Sequence, residues 1–272
     1  MVMVSDLWSN KNYLVALPYI TATDIYEYDI RKANINVLRS LDYISQDYYD
    51  KLNAMPKINR EIEVGYLIRN DKDLSNILSD GIMHYRKLLF EANNIDSDSV
   101  LSIKNDAIFI IGRALTTTAF TNGYGCVEFV KKNHYTSYYL LSRLEVYFKS
   151  DMINNSLVID IKGLGDKINL HKLMVAWIAE ILSIIETGDL EYALKEIQIF
   201  YNQYISRELD IEYYRPLNPI SMYVVNTISS VYGIPYLDNS ADKNSLDISY
   251  NLQIIRTLYG YASQMYFARR KS

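Results

Sequence analysis

The chain has 272 residues, 49% hydrophobic and 22% charged, with a formal net charge of −4. That length suits one large domain or two modest ones, and no overall positive field announces nucleic acid, so any such partner must be argued from a local basic face. A single cysteine, Cys126, excludes a disulfide framework within the chain.

The start, MVMVSDLWSNKN, has no basic region followed by an apolar core, which fits a reducing, cytoplasmic setting. No apolar run approaches the roughly 20 residues of a membrane span, so no membrane partner is expected. YITATDIYEYDI (19–30) alternates and is rich in β-formers, which predicts a strand ending near Asp29. Ile35, Leu38, Leu41, Tyr48 and Leu52 then fall at mostly helical spacing, with Ser45 placed to cap a second helical piece. NREIEVGYLIRN is ambiguous. Leu74, Ile77, Leu78, Tyr85, Leu88 and Leu89 form the stripe of an amphipathic helix that starts near Asn70 or Asp71.

SVLSIKNDAIFIIGR (99–113) reads as a hairpin of two apolar strands around Lys104-Asn105-Asp106. GCVEFVKKNHYTSYYLL, RLEVYFKS and SLVIDIKGLG read as further strands. From about Asn169 the chain turns helical, with a long stripe through Leu173, Trp177, Ile181 and Ile185. Asp189 is placed to cap a second helix carrying Leu194, Ile197, Tyr201 and Tyr204. Pro216, Pro219 and Pro235 punctuate a looser segment, and a last helix (about 246–267) ends in the basic tail ARRKS. The order predicts an α+β domain over 1–168 and a mostly helical region over 169–272.

A carboxylate inside an apolar run needs a reason, because burying it unpaired is costly. Asp106 falls at the bend of the hairpin, and Asp29 at the end of a strand just before a helix. Two such acids can meet if their strands lie side by side. A pair of this kind can hold divalent cations, and Mg²⁺ usually needs only one or two carboxylates plus substrate phosphates. Spacing alone leaves the matter open: any α/β protein offers two such acids, and Asn105-Asp106 also reads as a plain turn.

The order of the motifs resembles the palm domain of template-directed DNA polymerases, most like family B. YEYDIRKANINVL resembles the first palm motif, with Asp29 as its metal-binding aspartate, and GIMHYRKLLFEANNI the helix before the central hairpin. VLSIKNDAIFII resembles that hairpin, with Asp106 in place of the second of its two aspartates. VEFVKKNHYTSYYLL resembles the following lysine–tyrosine strand, and LVIDIKGLGD, with Lys162-Gly163, the segment leading to the thumb. The resemblance spans roughly 26–166. It implies a palm-like antiparallel sheet backed by helices, with a thumb-like helical region after it. It also implies catalytic Asp29 and Asp106 holding Mg²⁺, nucleotidyl transfer, and Lys132, Tyr135 and Lys162 against a primer–template nucleic acid.

The departures are specific. Lys104 stands where the family has its first hairpin aspartate, and Asn133 where it has its usual lysine. The stretch 30–105 leaves little room for fingers, with Lys57 and Arg60 as candidate remnants of the helix that grips the incoming triphosphate. The length leaves no room for a proofreading domain. A compact, phage-encoded relative of polymerases is one expectation, in host cytoplasm or virion. The other is a catalytically inactive structural or interaction protein of a viral particle or replication complex, with Asp106 paired to Lys104 or Lys132 instead of metal.

The remaining candidates read as scaffold. His84, His134 and His171 lack the paired spacing of a zinc site, and Cys126 reads as core rather than nucleophile. TNGYGCVEF lacks the ending of a phosphate loop. Trp177, Phe200, Tyr201 and Tyr204 lie on helical stripes and read as core or interface. KKNHY (131–135) suits a phosphate and a stacked base as well as it suits a solvated strand end, and ARRKS reads as a frayed tail.

Overall fold

A computed structural model describes residues 6–21, 23–142, 144–151, 156–162, 172–215, 217 and 248–271. The strands are β1 (Asn12–Leu14), β2 (Tyr19–Ile20), β3 (Ile25–Ile30), β4 (Val100–Lys104), β5 (Ala107–Ile111), β6 (Ala119–Thr121), β7 (Cys126–Tyr135), β8 (Ser137–Leu141), β9 (Leu144–Asp151) and β10 (Ser156–Lys162). The helices are α1 (Ala33–Ser40), α2 (Gln46–Ala54), α3 (Lys57–Asn70), α4 (Leu74–Asn93), α5 (Lys172–Thr187), α6 (Leu190–Ile205) and α7 (Ser249–Lys271). The architecture is α+β, with two antiparallel sheets.

Contacts divide the chain into one unit of Met1–Ala16 with Thr23–Tyr135 and a second of Leu17–Ala22 with Thr136–Ser272. The division falls after Tyr135 rather than near 168. The reason is that β8 and β9 place their apolar residues in one core with the C-terminal helices.

In the first unit the sheet order is β1-β4-β5-β3-β7-β6. The pleat sends Tyr28 and Ile30 of β3 into a core shared with Ile35, Val37 and Leu38 of α1 and Leu78, Leu89 and Phe90 of α4. By the same alternation Glu27 and Asp29 point to the opposite face. Helix α4 lies close on α1 at Gly81, where a Cβ would come within 2.5 Å of Val37 Cγ1 and 2.9 Å of Leu41 Cδ1. Ser45 caps α2 as expected, accepting from the Tyr48 amide at 3.3 Å.

The ambiguous stretch is helix α3. It buries only Arg60 and Val64 and leaves Ile58, Ile62 and Tyr66 exposed, so its apolar residues do not mark its inner face. The predicted hairpin is β4–β5, closed with Lys104 opposite Ala107. Its turn places Asn105 at φ 51°, a left-handed conformation that asparagine tolerates. Cys126 begins β7 and is exposed, which corrects its reading as core: the alternation of β7 buries Val127 and Phe129 instead.

In the second unit the sheet order is β10-β9-β8-β2. Tyr139, Val146 and Phe148 share a core with Met174, Ile178 and Ile181 of α5, Ile197 and Phe200 of α6, and Ile254 and Leu258 of α7. Trp177 stacks on Phe200 with ring centroids 3.8 Å apart. Asp189 caps α6 by accepting from the Tyr192 amide at 3.2 Å. The tail expected to fray is instead the last turn of α7 as far as Lys271, and Arg269 Nη1 donates to the Gly188 carbonyl at 2.9 Å. Gly163, residues 169–171, Pro216, Pro219 and Pro235 lie outside the described residues. Among the described residues no helix is long and apolar enough to cross a membrane.

Candidate functional site

Strands β3 and β5 are antiparallel neighbours, with Asp29 opposite Ala107. That register brings the end of β3 and the turn before β5 to the same edge of the sheet, where the two carboxyl groups are close enough to influence each other. Burial first, and then the adjoining carboxyl and negative charge of Asp29, together raise the Asp106 pKa from 3.8 to about 6. A backbone hydrogen bond and the nearby Arg86 oppose the shift.

Arg86 holds the turn in place. It comes from the buried face of α4 and is 1% exposed. Its guanidinium donates to the carbonyl of Trp8 at 2.9 Å, and to the carbonyls of Asn10 and Asn105. The Asn105 amide in turn donates to the Lys11 carbonyl at 2.9 Å. The N-terminal arm and the hairpin turn are thus fastened to one helix. Desolvation lowers the Arg86 pKa to about 10, which leaves it charged at neutral pH.

Both acids line a cleft of about 710 Å³, within the range of small-molecule sites. Seven cationic side chains line it (Lys11, Arg31, Lys32, Lys57, Arg60, Arg86 and Lys132) against three acidic ones, Asp29, Glu61 and Asp106. Several cations are engaged: Arg31 with Glu128 at 3.2 Å, Lys32 with the Asn53 carbonyl at 3.2 Å, and Lys132 with Asp29 Oδ2 at 3.7 Å. Arg60 is 7% exposed, and its partners are distant: the Met55 carbonyl at 3.5 Å and Glu61 at 3.9 Å. Lys11 and Lys57 have no acidic partner among the described residues. The net positive wall suits a polyanion, and the carboxylate pair suits a cation held with it.

Of the residues selected from sequence, the structure brings together Asp29, Asp106, Lys132, Lys57 and Arg60. Tyr135 is fully buried and donates its hydroxyl to Glu27 Oε2 at 2.9 Å, so the ring has no surface to offer a nucleic acid. Asn133 Nδ2 donates to the same oxygen at 2.6 Å. Lys162 belongs to the second unit, pairs with Asp160 at 2.7 Å and does not line the cleft. Lys104 does not line it either, although the register Lys104–Ala107–Asp29 puts it on Asp29's face of the sheet.

Lys11, Arg31, Lys32 and Arg86 were not selected from sequence. The signal for Arg86 was present: it breaks the apolar row Leu78, Ile82, Phe90 at i, i+4 spacing, where a buried arginine demands acceptors. Nothing local marked Lys11, whose place depends on the fold.

Two adjacent carboxylates are hard oxygen donors and fit Mg²⁺, which keeps several ligands for water or phosphate. No group of three or more His, Cys, Asp or Glu side chains suited to a metal occurs among the described residues.

Fold and site together define an α+β protein with a carboxylate pair at a sheet edge, set in a cleft of excess positive charge. The chain belongs to the Bacteriophage PBS1 gene 130 protein family, whose profile matches residues 3–260, and this places it among bacteriophage proteins. No curated protein matches its sequence.

Proposed function

We propose that this phage protein is palm-like and nucleic-acid-associated, and that its cleft supports Mg²⁺-dependent nucleotidyl transfer at a primer end. One observation carries the reading: Asp29 and Asp106 meet in a cleft whose wall includes Lys57 and Arg60, the candidate remnants of a triphosphate-gripping helix. Mg²⁺, when bound, supplies charge against the phosphoryl oxygens. Asp29 and Asp106 hold it at the sheet edge. Lys11, Lys57 and Arg60 neutralise the phosphate chain, and Lys132 lies beside Asp29 to meet the nucleic-acid backbone. In such chemistry the protein mainly positions groups and stabilises charge. The test is primer extension with Mg²⁺ or Mn²⁺, comparing wild type with Asp106→Asn. The expected result is loss of product in the variant; extension that survives the change removes Asp106 from the reaction.

A second reading is an inactive structural or interaction protein of a virion or replication complex. The observation favouring it is the Lys132–Asp29 ion pair, with Lys104 standing in place of an acid. Specific Mn²⁺ binding that is lost in Asp29→Ala would count against it.

A further inference from the structure

We infer that the cleft binds a small phosphate-bearing anion directly, through Arg60, Lys57 and the first turns of α1 and α3, with no metal ion between protein and phosphate. This rests on the proposed function only in setting Lys57 and Arg60 against phosphate. It needs neither the carboxylate pair nor a transfer step.

Arg60 carries the argument. It is 7% exposed, yet it lines the cleft. A guanidinium has five N–H donors, and a buried one demands acceptors. Here Nη1 reaches the Met55 carbonyl at 3.5 Å, the outer limit of a hydrogen bond, and Nε lies 3.9 Å from Glu61 Oε1. Nη2 has no acceptor among the described residues. Glu61 is held off by α1, because its other carboxyl oxygen accepts from Asn34 Nδ2 at 2.6 Å. A planar fork left open beside a cavity matches the oxygens of a phosphate group.

The surroundings favour the same charge. Helix α1 begins at Ala33 and α3 at Lys57, and neither first turn has a side-chain cap. The leading amides of a helix lack intrahelical partners and favour an anion. Ala33, Asn34 and Lys57 all line the cleft, so both turns open onto it. Helix α4 adds Ser75 and Ser79, one turn apart on one face, whose hydroxyls have no partner among the described residues. Seven cationic side chains against three acidic ones supply the charge that a metal would otherwise bring. A cleft of about 710 Å³ has room for a nucleotide as well as for inorganic phosphates, so the phosphate chain is the chemistry the site selects.

The test is calorimetric titration of the full chain in EDTA with inorganic pyrophosphate and, separately, with ATP. Wild type is expected to bind one equivalent of either. Tighter ATP would name a nucleotide as the source of the phosphate, and equal affinities a free phosphate. Arg60→Gln is expected to weaken binding roughly ten- to a hundredfold, the order of a lost charge-assisted hydrogen bond. Lys57→Ala, at an exposed position, is expected to weaken it by roughly fivefold. Lys51→Ala removes the same charge from α2, outside the cleft, and is expected to change nothing. Thermal melting shows which variants fold; if Arg60→Gln does not, Lys57→Ala decides. Binding that needs Mg²⁺, or is lost equally in Lys57→Ala and Lys51→Ala, would overturn the inference. So would wild-type affinity in folded Arg60→Gln, or in Lys57→Ala. Pyrophosphate binding without primer extension would leave this site standing and remove the transfer reading, whereas extension without metal-free binding would do the reverse.

Discussion

The guanidinium of Arg86 donates to the main-chain carbonyl of Asn105, the residue immediately before Asp106. The same side chain holds the Trp8 and Asn10 carbonyls, so the arm carrying Lys11 and the turn carrying Asp106 depend on one buried cation. Arg86→Met would leave three carbonyls without their donor and is expected to cost about 3 kcal/mol or more. Arg86→Lys keeps the charge but loses the planar fork, and is expected to fall between the two. Urea unfolding of the three proteins checks this. A loss under about 1 kcal/mol in Arg86→Met would show that the clamp carries little of the fold.

The raised pKa of Asp106 has a definite sign for stability. The folded protein holds a proton on this group up to about pH 6, whereas the unfolded chain releases it near 3.8. Its stabilising contribution is therefore complete below the unfolded value and is lost as pH rises through about 6. Asp106→Asn removes the dependence while keeping the size and polarity of the side chain beside Asp29. The melting temperature of the variant relative to wild type is expected to rise between pH 4.5 and 8. A flat difference across that range would mean that Asp106 does not titrate as described.

Much of this site was legible because its parts are local. Asp29 ends an alternating strand and Asp106 sits in a two-residue turn between apolar runs, so sequence placed each at an element's end. Their meeting required the β3–β5 pairing, which the order of motifs implied and spacing alone did not. Tyr135 was misjudged for a physical reason: KKNHY reads as an exposed basic strand end, yet the pleat turns Tyr135 inward onto Glu27. Arg86 and Lys11 were missed because their roles come from contacts with main-chain atoms distant in sequence, which no side-chain pattern encodes. The ARRKS tail ran on as helix because Arg269 finds an acceptor at the end of α5, again a non-local contact.

The cleft lysines give the proposed function a quantitative handle. Lys11 and Lys57 line the wall without an acidic partner among the described residues, so removing either should cost little folding stability. If the cleft receives a nucleic-acid backbone, each of Lys11→Ala and Lys57→Ala is expected to weaken binding across sequences. Each should also reduce the slope of log affinity against log salt by about one. Fluorescence anisotropy with a labelled primer–template at several salt concentrations measures both. Unchanged slopes in both variants would place the nucleic acid elsewhere.

Tyr135 separates a scaffold role from a binding role. Its hydroxyl and the Asn133 amide both donate to Glu27 Oε2, and Glu27 is itself only 8% exposed. Tyr135→Phe removes one donor from a buried carboxyl and is expected to cost about 1–2 kcal/mol of stability. Primer–template affinity should stay the same, because the ring presents no surface. Glu27→Gln keeps the shape but changes what the Asn133 amide and the tyrosine hydroxyl can donate to, and should likewise act on stability rather than on binding. Denaturant titration and anisotropy on the same preparations distinguish the cases. Weaker affinity in Tyr135→Phe at unchanged stability would mean that the side chain leaves its buried position to meet the nucleic acid.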